Sequence, residues 1–253
     1  MKNRLFAAVL IGLFSFIFIS SAQAAIVVDG YLDVDWGVTP GAFGSSDWTA
    51  NNGAIGIVED QNTDYLNPGW GGQKFDVEAI YWKRESGNIY AAIVTGHPSS
   101  GYNYLYPGDI FFNFGTGMQY GLETTGANAG KLYKNPSWNH NPYWGAQSDP
   151  TTMQDGTGTE KGLTSFVYLN TYPGAGYSDH WVMEMMIPES YFGTDWMNGG
   201  IVHWTETCGN DALDLNVPPT DDPPSTTPEP ASIALLGLGL AGLAKLRKNR
   251  RVV

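Results

Sequence analysis

Apolar and polar residues alternate with period two in several short segments of the chain, and glycine-rich turns separate these segments. Such alternation predicts β-strands. Residues 78–85 and 88–95 flank Ser86-Gly87, a dipeptide typical of the tight turn of a β-hairpin. Residues 27–36 are predicted to form a first strand and its turn, and further strands are predicted at residues 109–114, 163–170, 180–187 and 201–207.

The faces of these strands predict which side chains form the core. The second hairpin arm is apolar on one face and mixed on the other, and the run from Trp181 to Ile187 is apolar at nearly every position. Such a run is typical of a strand that is covered on both faces. The residues expected in the core are Ile89, Ala91 and Ile93, with either Ile80 and Trp82 or Ala79 and Tyr81, and with Trp181, Met183 and Met185.

Helical patterns are rare between residues 25 and 217. Only residues 188–193, which begin with proline and end with glycine, are typical of a single helical turn. The chain is also rich in Gly, Asn, Thr, Tyr and Trp, which favours strands and ordered loops. We therefore expect an all-β fold, an antiparallel β-sandwich of jelly-roll-like type with long loops.

The N-terminus has the three parts of a secretory signal peptide. Lys2 and Arg4 precede an apolar run at residues 5–19, and Ala22-Gln23-Ala24 follows as a small-x-small cleavage pattern. We expect signal peptidase to remove residues 1–24; the alternative is an N-terminal anchor that is not cleaved.

The C-terminus has three parts in a fixed order: Pro228-Glu229-Pro230, an apolar run at residues 231–244, and a basic tail. This order resembles the PEP-CTERM sorting signal of bacterial surface proteins. The resemblance implies that the membrane protease exosortase cuts near the motif and releases the upstream part to the cell surface or extracellular matrix of a Gram-negative bacterium. The apolar run reaches only about 21 Å as a helix against a hydrocarbon core of about 30 Å. We expect it to be a short transmembrane helix of the precursor, with the basic tail in the cytoplasm.

Between the two signals, the chain is organised as one ectodomain at residues 25–217 and a proline-rich linker at residues 218–227, before the sorting signal at residues 228–253. Residues 25–229 hold six Lys and Arg against 25 Asp and Glu, a formal charge of −19. This charge excludes a nucleic-acid partner and leaves membrane contact to the helix at residues 231–244. The lone cysteine, Cys208, excludes an intrachain disulfide.

Part of the ectodomain resembles family 9 carbohydrate-binding modules and related DOMON-like sandwiches. The similarity lies in the opening apolar-Asp-Gly segment at residues 27–36, in the Gly-Asp-apolar strand at residues 108–113, and in the strand at residues 181–188 that bears Glu184 and ends in Ile-Pro. The segment between Phe114 and Leu163 does not align. The resemblance implies a sandwich that binds carbohydrate, with any bound calcium in a structural role.

Aromatic residues in polar, turn-rich loops are the candidate carbohydrate-binding residues, because flat rings suit the C–H faces of sugars. The alternative is that these rings only anchor their long loops by packing. The candidates are Trp70, Tyr102, Tyr104, Tyr106, Trp138, Tyr143 and Trp144.

Three carboxylates around one turn, those of Asp29, Asp33 and Asp35, form a candidate structural calcium site, since Ca²⁺ prefers carboxylate and carbonyl oxygens. The alternative is ordinary Asp-Gly turn chemistry on a solvated face. No cofactor is expected to be required.

Catalytic patterns are weak. The sequence contains no metalloprotease, nucleophile-elbow or nucleotide-binding motif. Glu184 and Glu206 could in principle act as a glycosidase pair, but any acidic domain of this size offers such a pair. We therefore expect a non-enzymatic surface protein that binds extracellular polysaccharide. A structural or adhesive protein without a sugar site is the first alternative, and a secreted glycoside-active enzyme is the last.

Overall fold

The structure is a computed structural model that describes residues 26–32, 35–39, 48–59, 65–115, 117–141, 143–172 and 179–222. Of these residues, 47% lie in strands or bridges and 10% in helices, which confirms the predicted all-β class. None of the helices in these ranges is long and apolar enough to cross a bilayer. The predicted signal peptide, residues 223–227 of the linker and the C-terminal sorting signal lie outside the described residues.

The strands pair in an antiparallel manner throughout the described ladders. In chain order they are β1 (Ile55–Val58), β2 (Val77–Glu85), β3 (Asn88–Thr95), β4 (Ile110–Phe114), β5 (Met118–Leu122), β6 (Lys131–Lys134), β7 (Trp138–Asn139), β8 (Thr152–Met153), β9 (Thr159–Leu163), β10 (Ser165–Tyr172), β11 (His180–Pro188), β12 (Gly200–Thr205) and β13 (Ala212–Val217). One sheet has the order β1-β2-β3-β11-β10, a second has the order β13-β12-β4-β5-β6-β9, and β7 pairs with β8 alone. The jelly-roll connection stays a prediction.

Short helices fill the connections within the described ranges. The α-helix α1 (Glu189–Phe192) begins after Pro188 and ends before Gly193, as the sequence predicts. The 3₁₀ helices span Gly72–Phe75, Gly126–Asn128, Ala146–Ser148 and Asp195–Asn198.

The two large sheets bury one shared core between them. The predicted hairpin of β2 and β3 is confirmed, and Ser86 (φ 52°) and Gly87 (φ 78°) form its left-handed turn. Both alternatives for the first arm are buried, because Ile80 and Trp82 face the opposite sheet and Ala79 and Tyr81 face an outer layer. Ile89, Ala91, Ile93, Met183 and Met185 lie in the shared core, as predicted. The prediction for Trp181 is wrong, because its side chain is only half-buried.

An N-terminal layer covers the outer face of the five-stranded sheet. Leu32, Trp36 and Trp48 are fully buried against it. The predicted first strand at residues 27–36 is wrong for its described part, which has no strand structure. Its backbone amides bond to carboxylate side chains instead of to a neighbouring strand.

The segment between Phe114 and Leu163 supplies five strands that the sequence did not predict, β5 to β9. β6 to β8 have only two to four residues, and β9 is exposed at most positions, so these four strands lack the apolar alternation that marks a half-buried strand. β5 does alternate, with Met118, Tyr120 and Leu122 apolar, and its sequence was a usable signal. Three of them, β5, β6 and β9, belong to the six-stranded sheet, and Tyr120, Leu122 and Leu132 add to the shared core.

Candidate functional site

The predicted carbohydrate-binding residues differ widely in exposure. Tyr104 is 96% exposed and Tyr143 is 83% exposed. Trp70, Tyr106 and Tyr102 are also exposed. Trp144 is half-buried, and Trp138 is buried.

Trp138 belongs to a small core on the outer face of the six-stranded sheet. Its ring meets Phe111 edge to face at 5.0 Å between centroids, and Met153 completes the cluster. A side chain at Gly121 would collide with Met153, so this face has no room for a larger residue. Its burial removes Trp138 from the candidate surface.

Three loops carry the exposed rings, at residues 65–72, 98–107 and 141–149, and we refer to them as the aromatic loops. All three attach to the connection between β12 and β13, residues 206–211, which we refer to as the 206–211 turn. This shared attachment brings the loops to one end of the molecule. Six exposed aromatic side chains belong to them: Tyr65, Trp70, Tyr102, Tyr104, Tyr106 and Tyr143.

Backbone and side-chain hydrogen bonds fix each loop to the turn. The Gly69 amide donates to the Asn210 carbonyl at 2.7 Å. The Thr207 amide donates to the Tyr106 carbonyl at 2.9 Å. The Trp144 indole donates to Asn210 Oδ1 at 3.3 Å. Because the 206–211 turn is continuous with two core strands, it holds the loops on a rigid support.

Tyr65 is a site residue that the sequence analysis missed. Its ring stacks on Trp70, with 5.2 Å between centroids and 22° between planes. The signal was available, because Tyr65 lies in the same polar, turn-rich loop as Trp70.

Tyr104 adopts a backbone conformation that is unfavourable for its residue type. Asn103 and Tyr104 have φ of 51° and 65°, and Tyr102 and Leu105 exchange two backbone hydrogen bonds around them. Asparagine tolerates the left-handed region, whereas a bulky residue there is strained. The strained turn holds the Tyr104 ring in solvent.

A pocket of about 500 Å³ adjoins the aromatic loops at Tyr106 and Thr207. Asp109 lies in its wall, where its carboxylate accepts the Thr124 amide at 3.1 Å and the Met153 amide at 2.8 Å. Burial raises the pKa of Asp109 to about 6 in spite of these two donors. Burial also raises the pKa of Glu123, on the same wall. We refer to this cavity as the acidic pocket; the sequence analysis did not find it.

Buried acids lie beneath the 206–211 turn. Glu206 is fully buried, and neither carboxylate oxygen makes a well-formed hydrogen bond within the described part of the chain. Nearby backbone amides of Glu206 and Asp211 lower its pKa, but burial and the charge of Asp211 outweigh them and raise the pKa well above its usual range. Burial likewise raises the pKa of the Cys208 thiol to about 12, so this cysteine is not an activated nucleophile.

The candidate catalytic pair does not share a cleft. Glu184 lies on β11 beneath the N-terminal layer, and Glu206 follows β12 of the other sheet. Glu184 accepts the Gly30 amide at 2.8 Å, the Asp29 amide at 2.9 Å and the Trp36 indole at 2.8 Å. Burial raises its pKa to about 7. These contacts assign Glu184 the role of fastening the N-terminal layer to the sheet.

The candidate calcium residues take part in local turns. Asp29 Oδ1 accepts the Tyr31 amide at 2.9 Å, and Asp35 Oδ2 accepts the Val27 amide at 2.8 Å. Asp33 lies outside the described residues. Among those that are described, no three His, Cys, Asp or Glu side chains form a group that could hold a metal. Calcium binding at this turn stays a prediction.

Comparison with known proteins identifies one end of the chain. The family profile of the PEP-CTERM protein-sorting motif matches residues 226–251. The motif indicates a protein that is exported as a membrane-anchored precursor and processed by exosortase to a surface protein of Gram-negative bacteria. No curated protein and no solved structure matches the chain, so the resemblance of the ectodomain to family 9 carbohydrate-binding modules has no support from them.

Proposed function

We propose that this exported surface protein binds extracellular polysaccharide through its aromatic loops and does not transform it. The observation that carries the proposal is the gathering of six exposed aromatic rings on three loops that share one turn. Exposed apolar surface that is concentrated in one place marks an interaction site. Aromatic rings fixed on supported loops stack on sugar rings without a further ordering cost.

The charge of the molecule narrows the class of polysaccharide. Of the six Lys and Arg between residues 25 and 229, five form ion pairs: Lys74, Lys83, Arg84, Lys131 and Lys134. Few basic groups therefore remain to attract an anionic polymer, and the formal charge of −19 repels one. The expected ligand is a neutral or cationic polysaccharide.

A glycan array tests the binding proposal directly. The full chain should bind a subset of neutral or aminated glycans. The triple variant Trp70→Ala/Tyr104→Ala/Tyr143→Ala should lose that binding, whereas Tyr31→Ala, which removes an exposed ring outside the aromatic loops, should keep it. Absence of glycan binding by the unmodified chain would favour a structural or adhesive role. The stacking of Tyr65 on Trp70 and the half-buried Trp144 are the observations that favour this second candidate.

The processing proposal has its own test. In a host with exosortase, the mature protein should begin at Ala25 and lack the tail beyond about Glu229. In a host without the protease, the precursor should stay in the inner membrane through residues 231–244. Mass spectrometry of both termini from the surface fraction measures this, and an intact surface species that still contains Arg250 would contradict it.

No catalytic step belongs to the proposal. A glycosidase needs two carboxyl groups that both reach one glycosidic bond. Glu184, on β11, and Glu206, in the 206–211 turn, are each fully buried, so they do not meet this requirement.

A further inference from the structure

The acidic pocket is lined by polar groups, and the charged groups among them are all carboxylates. The groups that matter are Tyr106, Asp109, Glu123, Asn128, Asn139 and Asp155, and none of the residues lining this cavity is basic. Lys131, whose charge acts on Glu123, forms an ion pair with Glu160 at 3.4 Å. Burial raises the pKa of Asp109 and of Glu123, and the nearby charge of Asp155 adds to the rise in both.

The wall of the pocket is rigid. A Cβ at Gly108 would lie 2.2 Å from the Thr205 carbonyl oxygen and 2.4 Å from that of Thr151, so only glycine lets these three segments approach. The next residue, Asp109, is clamped by two backbone amides. Asn139 Nδ2 donates to Thr152 Oγ1 at 2.9 Å, which sets the direction of the Asn139 amide. Asp109 and Asn139 are therefore in place before a ligand arrives.

We propose that the acidic pocket binds the protonated amine of an amino sugar. Glu123 and Asp155 supply charge-assisted acceptors for the ammonium group. The Asn128 and Asn139 amides suit sugar hydroxyls, and the Tyr106 ring supplies a stacking face. A volume of about 500 Å³ lies within the range of small-ligand pockets, and it admits a sugar residue of a longer chain.

This inference rests on the proposed function and deepens it. Tyr106 belongs to one of the aromatic loops and also to the pocket wall, and Thr207 of the 206–211 turn lines the same cavity. A polysaccharide that stacks on the aromatic loops can therefore place one of its residues in the pocket. The aromatic loops would supply affinity for the chain, and the pocket would select chains that carry free amines.

Isothermal titration of the full chain with two tetrasaccharides tests the inference. The probes are the β-1,4-linked tetramer of glucosamine and its fully N-acetylated counterpart, at pH 6, where the free amines are protonated. The unmodified protein should prefer the aminated tetramer by at least ~10-fold, the effect of one charge-assisted hydrogen bond. The variant Glu123→Gln/Asp155→Asn should lose this preference and keep its affinity for the acetylated tetramer.

A matched control removes the same charge elsewhere. Asp221→Asn/Asp222→Asn changes the net charge equally and should retain the preference, which separates the pocket from general attraction between an acidic protein and a cationic sugar. The single variant Asp155→Asn should lose part of the preference for the aminated tetramer. Because Asp155 is exposed, this variant still tests the inference if the double variant does not fold.

Three results would overturn the inference. Equal affinity for the two tetramers would contradict amine binding in the acidic pocket and would leave the proposed function intact. An equal loss of preference in the Asp221/Asp222 control would show a non-specific charge effect. If neither tetramer binds and the glycan array also shows no binding, the proposed function is contradicted as well.

Discussion

Glu184 and Glu206 are both fully buried carboxylates, yet their surroundings are opposite. Glu184 accepts three hydrogen bonds beneath the N-terminal layer, whereas Glu206 makes no well-formed hydrogen bond beneath the aromatic loops, among the residues described. Buried polar groups in stable regions are normally satisfied. The difference indicates that the first region is built for stability and that the second tolerates an unfavourable arrangement, as binding sites often do.

Aromatic side chains repeat the same contrast. Beneath the N-terminal layer, Trp36 and Trp48 are completely buried. Around the 206–211 turn, Tyr104 and Tyr143 extend into solvent. One residue class therefore supplies packing in one region and a candidate binding surface in the other, and burial rather than residue type separates the two roles.

The largest expected effect is a difference in stability between variants of the two buried carboxylates. Glu184→Ala leaves three donors unpaired, two of them buried, and should lower the free energy of unfolding by about 3–5 kcal/mol, or Tm by roughly 10 °C. At pH 4.5, where the unfolded chain gains little from ionising this group, Glu206→Gln removes no well-formed hydrogen bond and should change the free energy of unfolding by less than ~1 kcal/mol. Thermal and urea unfolding measure both variants, and equal losses would contradict the contrast.

The pH dependence of stability should also differ. Glu184 titrates at about pH 7 in the folded protein and at its usual 4.5 when unfolded, so the folded state binds more protons between these values. Stability should therefore fall as pH rises from 4.5 to 7, by up to about 1.4 kcal/mol per pH unit. Burial also raises the pKa values of Glu206 and of Asp211, the latter to about 7, so both groups should add to this fall.

Tm measured at half-unit steps from pH 4.5 to 8.5 separates these contributions. Glu184→Gln and Glu206→Gln should each make the fall of Tm with pH less steep, and the effect of Glu184→Gln should be confined to pH values below about 7. Stability that rises with pH across this range would contradict the assignment.

The strained turn at Tyr104 predicts a smaller effect of opposite sign. Tyr104→Gly relieves left-handed strain of about 1–2 kcal/mol, and the added freedom of glycine in the unfolded chain offsets part of it. We expect a net gain of about 0.5–1 kcal/mol by urea unfolding, together with weaker glycan binding. Asn103→Gly is the control and should gain less, since asparagine tolerates this conformation. A loss of stability in Tyr104→Gly would show that the Tyr104 ring stabilises the fold by packing, which would contradict its assignment as a ligand-binding side chain.

Calcium should have the smallest effect. Asp29 and Asp35 already accept backbone amides, so we expect chelator and millimolar calcium to give the same Tm within about 1 °C. A true site at a hundredfold excess over Kd would add about 2.7 kcal/mol, or roughly 5–10 °C. A rise of that size, removed by Asp33→Asn and not reproduced by magnesium, would contradict the turn interpretation.

The sequence predicts the parts of the molecule that depend on local patterns. The β2–β3 hairpin follows from alternation around Ser86-Gly87, and α1 follows from Pro188 and Gly193. The regular alternation of β13, Ala212–Val217, was a usable signal that the analysis missed. The gathering of three loops on the 206–211 turn depends on contacts between distant segments, and no local pattern reports it. Trp138 and Trp144 likewise have similar sequence surroundings and different burial.

The measurement that tests the central claim most directly is the affinity for the polysaccharide that binds best on the array. Each lost aromatic contact should cost about 1 kcal/mol, so the triple variant Trp70→Ala/Tyr104→Ala/Tyr143→Ala should bind about 100-fold more weakly than the unmodified chain. Tyr31→Ala should bind normally, and both variants should unfold at temperatures close to that of the unmodified chain. An undiminished affinity in the triple variant would contradict the assignment of the aromatic loops as the binding surface.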